Sequence, residues 1–125
     1  MNALTIVLLG LAGGFGAGAR FMVDGLVRAT LRTALPAGTI AINVTGSFLL
    51  GVLTGAVLVT AAPVELQVIA GTGFLGGYTT FSTASFETVR LIQSRRTGWA
   101  LLNSIGTAAA SVGAAAAGLA LAALL

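Results

Sequence analysis

The distribution of charge along the chain is the feature that most constrains its fold. All nine charged residues lie outside four long stretches that carry no charge, residues 1–19, 33–64, 66–86 and 97–125. A helix needs about 20 predominantly apolar residues to cross a bilayer, and each stretch can supply them. The sequence therefore predicts an all-α membrane protein with four transmembrane helices.

The composition agrees with this prediction and excludes several functions. Only 7% of the 125 residues are charged, and the mean hydropathy is +1.05, which excludes a soluble domain. The chain has no Cys and no His, so thiolate or imidazole metal sites and the usual nucleophile–base pairs of enzymes are excluded. We expect one four-helix domain over residues 1–125 and no enzymatic activity. Its helices are predicted at about residues 3–27, 37–60, 65–94 and 98–124.

The third uncharged stretch has a middle that is poorly suited to a helix. Gly76 and Gly77 are adjacent and are followed closely by Thr79 and Thr80. Each glycine costs about 1 kcal/mol relative to alanine, and threonine is a weak helix former. We therefore predict that the third helix is broken in mid-membrane at residues 76–80. Open backbone at that depth must be buried in protein or line a polar cavity, where it can bind an ion.

Small residues recur every four positions on three of the predicted helices. This spacing lets a neighbouring helix approach closely, which is how transmembrane helices pack without a hydrophobic driving force. We expect each of these stripes to pack against another helix. They are Gly10, Gly14 and Gly18 on helix 1, Ser47, Gly51 and Gly55 on helix 2, and Gly106, Ala110, Ala114 and Gly118 on helix 4.

The polar side chains expected inside the membrane, within the uncharged stretches, are all neutral. Asn43 either bonds a neighbouring helix or lines a pore as a hydrogen-bond donor. Asn103, Thr107 and Ser111 repeat every four residues and predict a polar track along helix 4. A proton-coupled transporter or a cation pore would need carboxylates here, and none is present. Donor-rich walls beside aromatic ring edges, which Phe81 and Phe86 could supply, suit a small anion.

Arg20 and Glu87 are charged residues that directly follow uncharged stretches, and each has alternative roles. Arg20 and Asp24 lie four residues apart and can pair on one face of helix 1. Arg20 could instead line a polar vestibule, or extend to the membrane interface. Glu87 has no second titratable group beside it for proton transfer, and we expect it to pair with Arg90.

Three segments together resemble the Fluc family of fluoride channels, also called CrcB. The resemblance covers the whole chain, with four helices in the right order, and the third motif is long enough to be specific. The segments are residues 16–20 (GAGAR), residues 38–48 (GTIAINVTGSF) and residues 73–83 (GFLGGYTTFST).

The resemblance implies a passive, fluoride-selective channel in the plasma (inner) membrane that exports fluoride from the cytoplasm and relieves its toxicity. Fluc proteins are antiparallel, dual-topology-type dimers with two pores. At their two-fold axis, backbone carbonyls hold a structural sodium ion (Na+), and by motif position these carbonyls belong to Gly76 and Thr79. Asn43 matches the pore asparagine, Phe81 the first phenylalanine of the family's "Phe box", and Arg20 the vestibule arginine. The other expected pore residues are Ser82, Thr83, Asn103, Thr107 and Ser111.

One position departs from the family motif. Ala84 stands where the motif usually has a second phenylalanine. Phe86 lies two residues further on, about 200° around a helix, and cannot simply replace it. One ring of each Phe box is therefore missing or is provided by another chain.

The arginines also bear on assembly. Four spans place loops 28–36 and 87–97 on one side, with five arginines, and leave the other side without arginine or lysine. Such a bias predicts a single orientation with both termini outside. An antiparallel homodimer needs both orientations, so we hypothesise a heterodimer with an oppositely biased homologue.

Two other functions fit the sequence less well. A small multidrug-type transporter also has four helices, but it needs a membrane-embedded glutamate in helix 1, and this chain has none there. A non-conducting partner subunit of a heterodimeric fluoride channel would leave the threonine-rich break without a purpose of its own.

Overall fold

The protein is all-helical. The computed structural model describes residues 1–33 and 35–125, which form α1 (Ala3–Thr30), α2 (Ala37–Thr60), α3 (64–78), α4 (Phe81–Gln93) and α5 (Thr97–Ala122). Three of them, α1, α2 and α5, are long and apolar enough to cross a membrane, so the chain is a multi-pass membrane protein. The shorter α3 and α4 occupy the third uncharged stretch. Relative to the predicted bounds, α1 extends three residues further and α5 ends two residues earlier.

The ends of the helices follow from local chemistry. The side chain of Asn2 accepts a hydrogen bond from the backbone N–H of Thr5 at 2.9 Å and so caps the start of α1. Pro36 and Pro63 directly precede α2 and α3, where their fixed φ angles and missing N–H groups cost nothing. Ala61 ends α2 in a left-handed conformation with φ 54°.

Two stretches of wider, π-type helix were not predicted from the sequence. They cover Gln67–Leu75 within α3 and Leu102–Gly106 within α5. π-Helical turns are rare and occur frequently at functional sites. Both stretches contribute residues to the same cavity, which is described below.

The contact between α2 and α5 relies on glycine. A Cβ atom at Gly51 would collide with the backbone of Ala115, and one at Gly118 would collide with the carbonyl of Phe48. Gly55 lies in the same way against Ala122. These contacts confirm that Gly51 and Gly55 of the helix 2 stripe, and Gly118 of the helix 4 stripe, allow close helix approach.

The prediction for the glycine stripe of α1 is wrong within this chain. Among the described residues, a Cβ atom at Gly10, Gly14 or Gly18 would meet nothing within 4 Å, so these glycines face away from the other helices. Instead, Gly16 packs on the carbonyl of Phe74, and the backbone of Gly13 packs on Gly77. Because α1 has glycines on more than one face, their spacing alone does not identify the face that α3 contacts.

Candidate ion-binding cavity

The helix interruption is short. Thr79 (φ −79°, ψ 158°) and Thr80 (φ −148°, ψ 121°) are extended between α3 and α4. The predicted interval of residues 76–80 is therefore too wide, because Gly76 and Gly77 remain helical. Gly77 lies so close to the backbone of Gly13 that a side chain would not fit there. A glycine at position 77 therefore permits close packing of α3 on α1 and does not unwind the helix.

Asn43 of α2 holds the extended backbone in place. Its Oδ1 accepts from the N–H of Thr80 at 2.9 Å, and its Nδ2 donates to the carbonyl of Thr80 at 2.9 Å. The sequence left open a structural or a pore-lining role, and the structure shows the structural bonds. An amide nitrogen has two hydrogens, so one remains for a further acceptor. Asn43 also lines the cavity, so it can hold the extended backbone and line a pore at the same time.

The interruption removes the helical donors of the carbonyls just before it and at its start, including those of Gly76 and Thr79. In a continuous helix the N–H of Thr80 would donate to Gly76, but it donates to Asn43 instead. The N–H of Thr83 would donate to Thr79, but it donates at 3.2 Å to the hydroxyl of Thr80, which caps α4. Gly76 and Thr79 are the two residues whose carbonyls were predicted to hold sodium.

A cavity of about 840 Å³ lies beside this interruption, between α2, α3, α4 and α5. Seven of the ten predicted site residues line it: Asn43, Gly76, Thr79, Phe81, Asn103, Thr107 and Ser111. The three that do not line it are Arg20, Ser82 and Thr83. The polar track of α5 and the interruption therefore face a common space.

Asn103 was expected to offer a hydrogen-bond donor to the pore, but its amide bonds a neighbouring helix instead. Its side chain is 2% exposed, and its Nδ2 donates to the hydroxyl of Thr88 at 2.8 Å and to the carbonyl of Ala84 at 3.3 Å. Since both hydrogens are used, Asn103 has none left to donate to an ion. Its Oδ1 is buried and has no partner among the described residues. Asn103 therefore fixes α5 against α4 and leaves donation to Thr107 and Ser111.

The charged residues pair differently from the predictions. Asp24 binds Arg28 at 3.0 Å rather than Arg20, whose guanidinium lies 5.1 Å from the centre of the Phe21 ring. The i,i+4 spacing fits both arginines equally well, so the sequence could not distinguish them.

Glu87 does not pair with Arg90. Its Oε1 accepts from the hydroxyl of Thr39 at 2.5 Å, and its Oε2 lies 3.8 Å from Arg28. Arg90 lies instead 6.0 Å from the centre of the Phe86 ring. Partners on α1 and α2, which sequence spacing cannot show, replace the local pair.

Several residues that line the cavity were not predicted from the sequence. Gln67 donates from Nε2 to the hydroxyl of Thr54 at 2.8 Å, and its buried Oε1 has no partner among the described residues. An amide inside an apolar stretch was the available signal. The other missed hydroxyl-bearing residues are Ser47, Thr72, Ser85, Thr88 and Ser104.

The rings around the cavity are incomplete within one chain. Phe81 lines the cavity but is 86% exposed, so no other part of the described chain covers its ring. Ala84 also lines the cavity and brings no ring. Phe86 does not line it and is 63% exposed.

Comparison with known proteins identifies the family of this chain. Residues 7–119 match the family described as "CrcB-like protein, Camphor Resistance (CrcB)". The chain is 50% identical over 119 residues to "Fluoride-specific ion channel FluC 1" of Leifsonia xyli subsp. xyli, covering 95% of this chain and 87% of that protein. It is 46% identical over 121 residues to "Fluoride-specific ion channel FluC 2" of Cutibacterium acnes, covering 94% and 97%.

A third relative, "Fluoride-specific ion channel FluC" of Syntrophotalea carbinolica, is 48% identical over 89 residues, covering 70% of this chain and 72% of the relative. These proteins are named as ion channels, which confirms the expectation that the chain is not an enzyme. The resemblance inferred from the three motifs is confirmed, and the chain belongs to the CrcB family.

Proposed function

We propose that the chain is a subunit of a passive, fluoride-selective channel that exports fluoride from the cytoplasm and so relieves fluoride toxicity. The names of its relatives support the choice of ion. The observation that carries the proposal is the chemistry of the cavity beside the helix interruption. Within the described part of the chain, hydroxyl and amide groups line this cavity, and no titratable side chain does.

This lining suits passive conduction of a small anion. Hydroxyl groups on Thr107 and Ser111, and the remaining amide hydrogen of Asn43, can donate to fluoride without adding a fixed negative charge. A proton-coupled exporter would require an ionisable relay at this depth. The edge of the Phe81 ring carries partial positive charge and adds a further favourable surface for an anion.

The channel is an antiparallel dimer in this proposal. The exposure of Phe81 and the absence of a ring at Ala84 mean that one chain does not enclose the path. A second subunit would cover Phe81 and supply the missing wall. Gly10, Gly14 and Gly18 add a small-residue face on α1 that no described helix of this chain contacts.

A structural sodium ion on the two-fold axis is the second part of the proposal. The carbonyls of Gly76 and Thr79 fit it, because each has lost its helical hydrogen-bond donor and oxygen atoms suit a hard cation. With their symmetry mates they would provide four oxygens. A bound cation there would lower the cost of bringing an anion into the membrane.

The arginine bias supports one orientation in the inner membrane, with both termini outside. Arg28, Arg32, Arg90 and Arg96 line one shared cavity, so the arginine-rich loops lie at the same end of the molecule. We therefore favour a heterodimer with an oppositely oriented homologue over a homodimer.

Fluoride efflux from liposomes containing this chain alone, read with a fluoride electrode, tests the function. Rapid loss of fluoride but not chloride, absent from protein-free liposomes, supports a homodimeric channel. Silence that is relieved by adding an oppositely oriented homologous subunit supports the heterodimer. Silence under both conditions with well-folded protein contradicts the channel proposal and favours a structural role.

A further inference from the structure

A second cavity, of about 570 Å³, lies at the arginine-rich end of the molecule. It is bounded by the end of α1, the start of α2 and the last turns of α4, together with the connections 31–33 and 35–36 and Arg96. Four arginines line it, and Glu87 is the carboxylate among its described lining residues. Its described lining does not overlap with that of the cavity beside the helix interruption.

The carboxylates of Asp24 and Glu87, near this cavity, already have partners within the protein. Both oxygens of Asp24 accept from Nε of Arg28 at 3.0 Å, and Asp24 also packs against Gly38 at the start of α2. Glu87 binds Thr39 and lies 3.8 Å from Arg28. Arg28 is therefore the arginine of this cavity that the protein itself neutralises.

The other three arginines keep their charge available. Among the described residues, no carboxylate lies within 4.0 Å of Arg32, Arg90 or Arg96. Like charges gathered around one cavity repel each other unless an anion enters it.

Part of the remaining lining is apolar, and it indicates the class of the anion. Val27, Leu31, Leu35 and Leu91 share the walls with the arginines. Guanidinium groups bind phosphate oxygens through paired hydrogen bonds. A basic cavity with an apolar side, located where spanning helices end, suits an amphiphile with a phosphate group better than a fully hydrated ion.

We propose that this cavity binds the phosphate group of an anionic phospholipid. The phosphate accepts hydrogen bonds from Arg32, Arg90 and Arg96 and offsets part of their charge, and the lipid's hydrocarbon lies toward Leu31, which is 56% exposed. Binding ties the ends of α1 and α4 to the start of α2. This site is independent of the proposed fluoride path, and its test does not use fluoride.

The test measures lipid binding to the full chain in detergent by native mass spectrometry, together with thermal unfolding. Phosphatidylglycerol is compared with phosphatidylcholine and with inorganic phosphate at constant ionic strength. The variants are Arg32→Gln and Arg96→Gln, with Arg95→Gln as the matched control. Arg95 carries the same charge one residue from Arg96 but does not line the cavity.

Phosphatidylglycerol is expected to bind and to raise the unfolding temperature, whereas phosphatidylcholine does neither. Each cavity variant should weaken phosphatidylglycerol binding about fivefold, and Arg95→Gln should leave it unchanged. Equal weakening by Arg95→Gln would show general charge attraction and overturn the proposal. So would an equal thermal shift from inorganic phosphate, which would assign the cavity to a soluble anion. The unfolding temperature of each variant, measured without lipid, checks that the variant folds.

Discussion

The two cavities of this chain handle polarity in opposite ways. The cavity beside the helix interruption is lined by neutral hydroxyl and amide groups, whereas the cavity at the membrane end gathers four arginines and one glutamate. A fixed charge is expensive within a bilayer and inexpensive near its surface, where water and headgroups can solvate it. The difference fits the proposals that neutral donors form the ion path and that the arginines set the orientation and contact lipid.

Placing a charged side chain in the neutral cavity should remove the contrast between the two cavities, and it should reduce fluoride efflux more than any other change considered. Asn43→Asp retains an acceptor for the N–H of Thr80 but loses the donor and adds a carboxylate. A charge within a membrane helix costs up to about 3 kcal/mol, so fluoride efflux should fall by up to about 100-fold. Liposome efflux with a fluoride electrode measures this. Asn2→Asp, the same change at the cap of α1, is the control, and equal loss there would contradict the assignment.

Removing one neutral donor should have a smaller effect. Thr107→Val keeps the shape of the side chain but deletes a hydroxyl that lines the cavity. A hydrogen bond to a charged partner contributes about 1.5–3 kcal/mol, so efflux should fall about tenfold or more. Thr60→Val is the matched control, because the hydroxyl of Thr60 bonds the carbonyl of Ala56 on an exposed turn. Unchanged efflux in Thr107→Val would remove this hydroxyl from the path.

Neutralising a charged side chain in the arginine-rich cavity should change fluoride efflux least. Glu87→Gln keeps an oxygen for the hydroxyl of Thr39 but loses its attraction to Arg28, whose side chain is 63% exposed. Such partly exposed ion pairs contribute about 1 kcal/mol at most. Efflux should change by less than about twofold, and the unfolding temperature should fall slightly. A loss of efflux as large as that of Asn43→Asp would show that the two cavities are not separate in function.

Much of the fold followed from features that need no neighbour. The uncharged stretches predict spans because hydrophobic length is a property of each segment alone. The third motif predicts an interruption near Thr79 and Thr80, where poor helix formers accumulate. Its extent was overestimated because close packing of Gly77 on Gly13 keeps that turn helical.

The partners of individual side chains could not be predicted in the same way. On a helix, residues four positions before and after are equally near, so Asp24 has two possible arginines. The choice of Arg28 involves Glu87 on α4, which reaches the same guanidinium from another helix. The face of α1 that packs on α3, and the use of both Asn103 hydrogens by α4, likewise depend on which helix lies opposite.

The sequence by itself determined that this is an all-helical membrane protein of the CrcB family, with neutral polar groups in its four uncharged stretches and its arginines outside those stretches. Hydrophobic length, charge placement and specific motifs are local, so they can be read without coordinates. The tertiary structure decided that Asn43 replaces the helical bonds of Thr80, that Asn103 has no free donor, and that four arginines surround one cavity. Hydrogen bonds between helices depend on distances that only packing establishes.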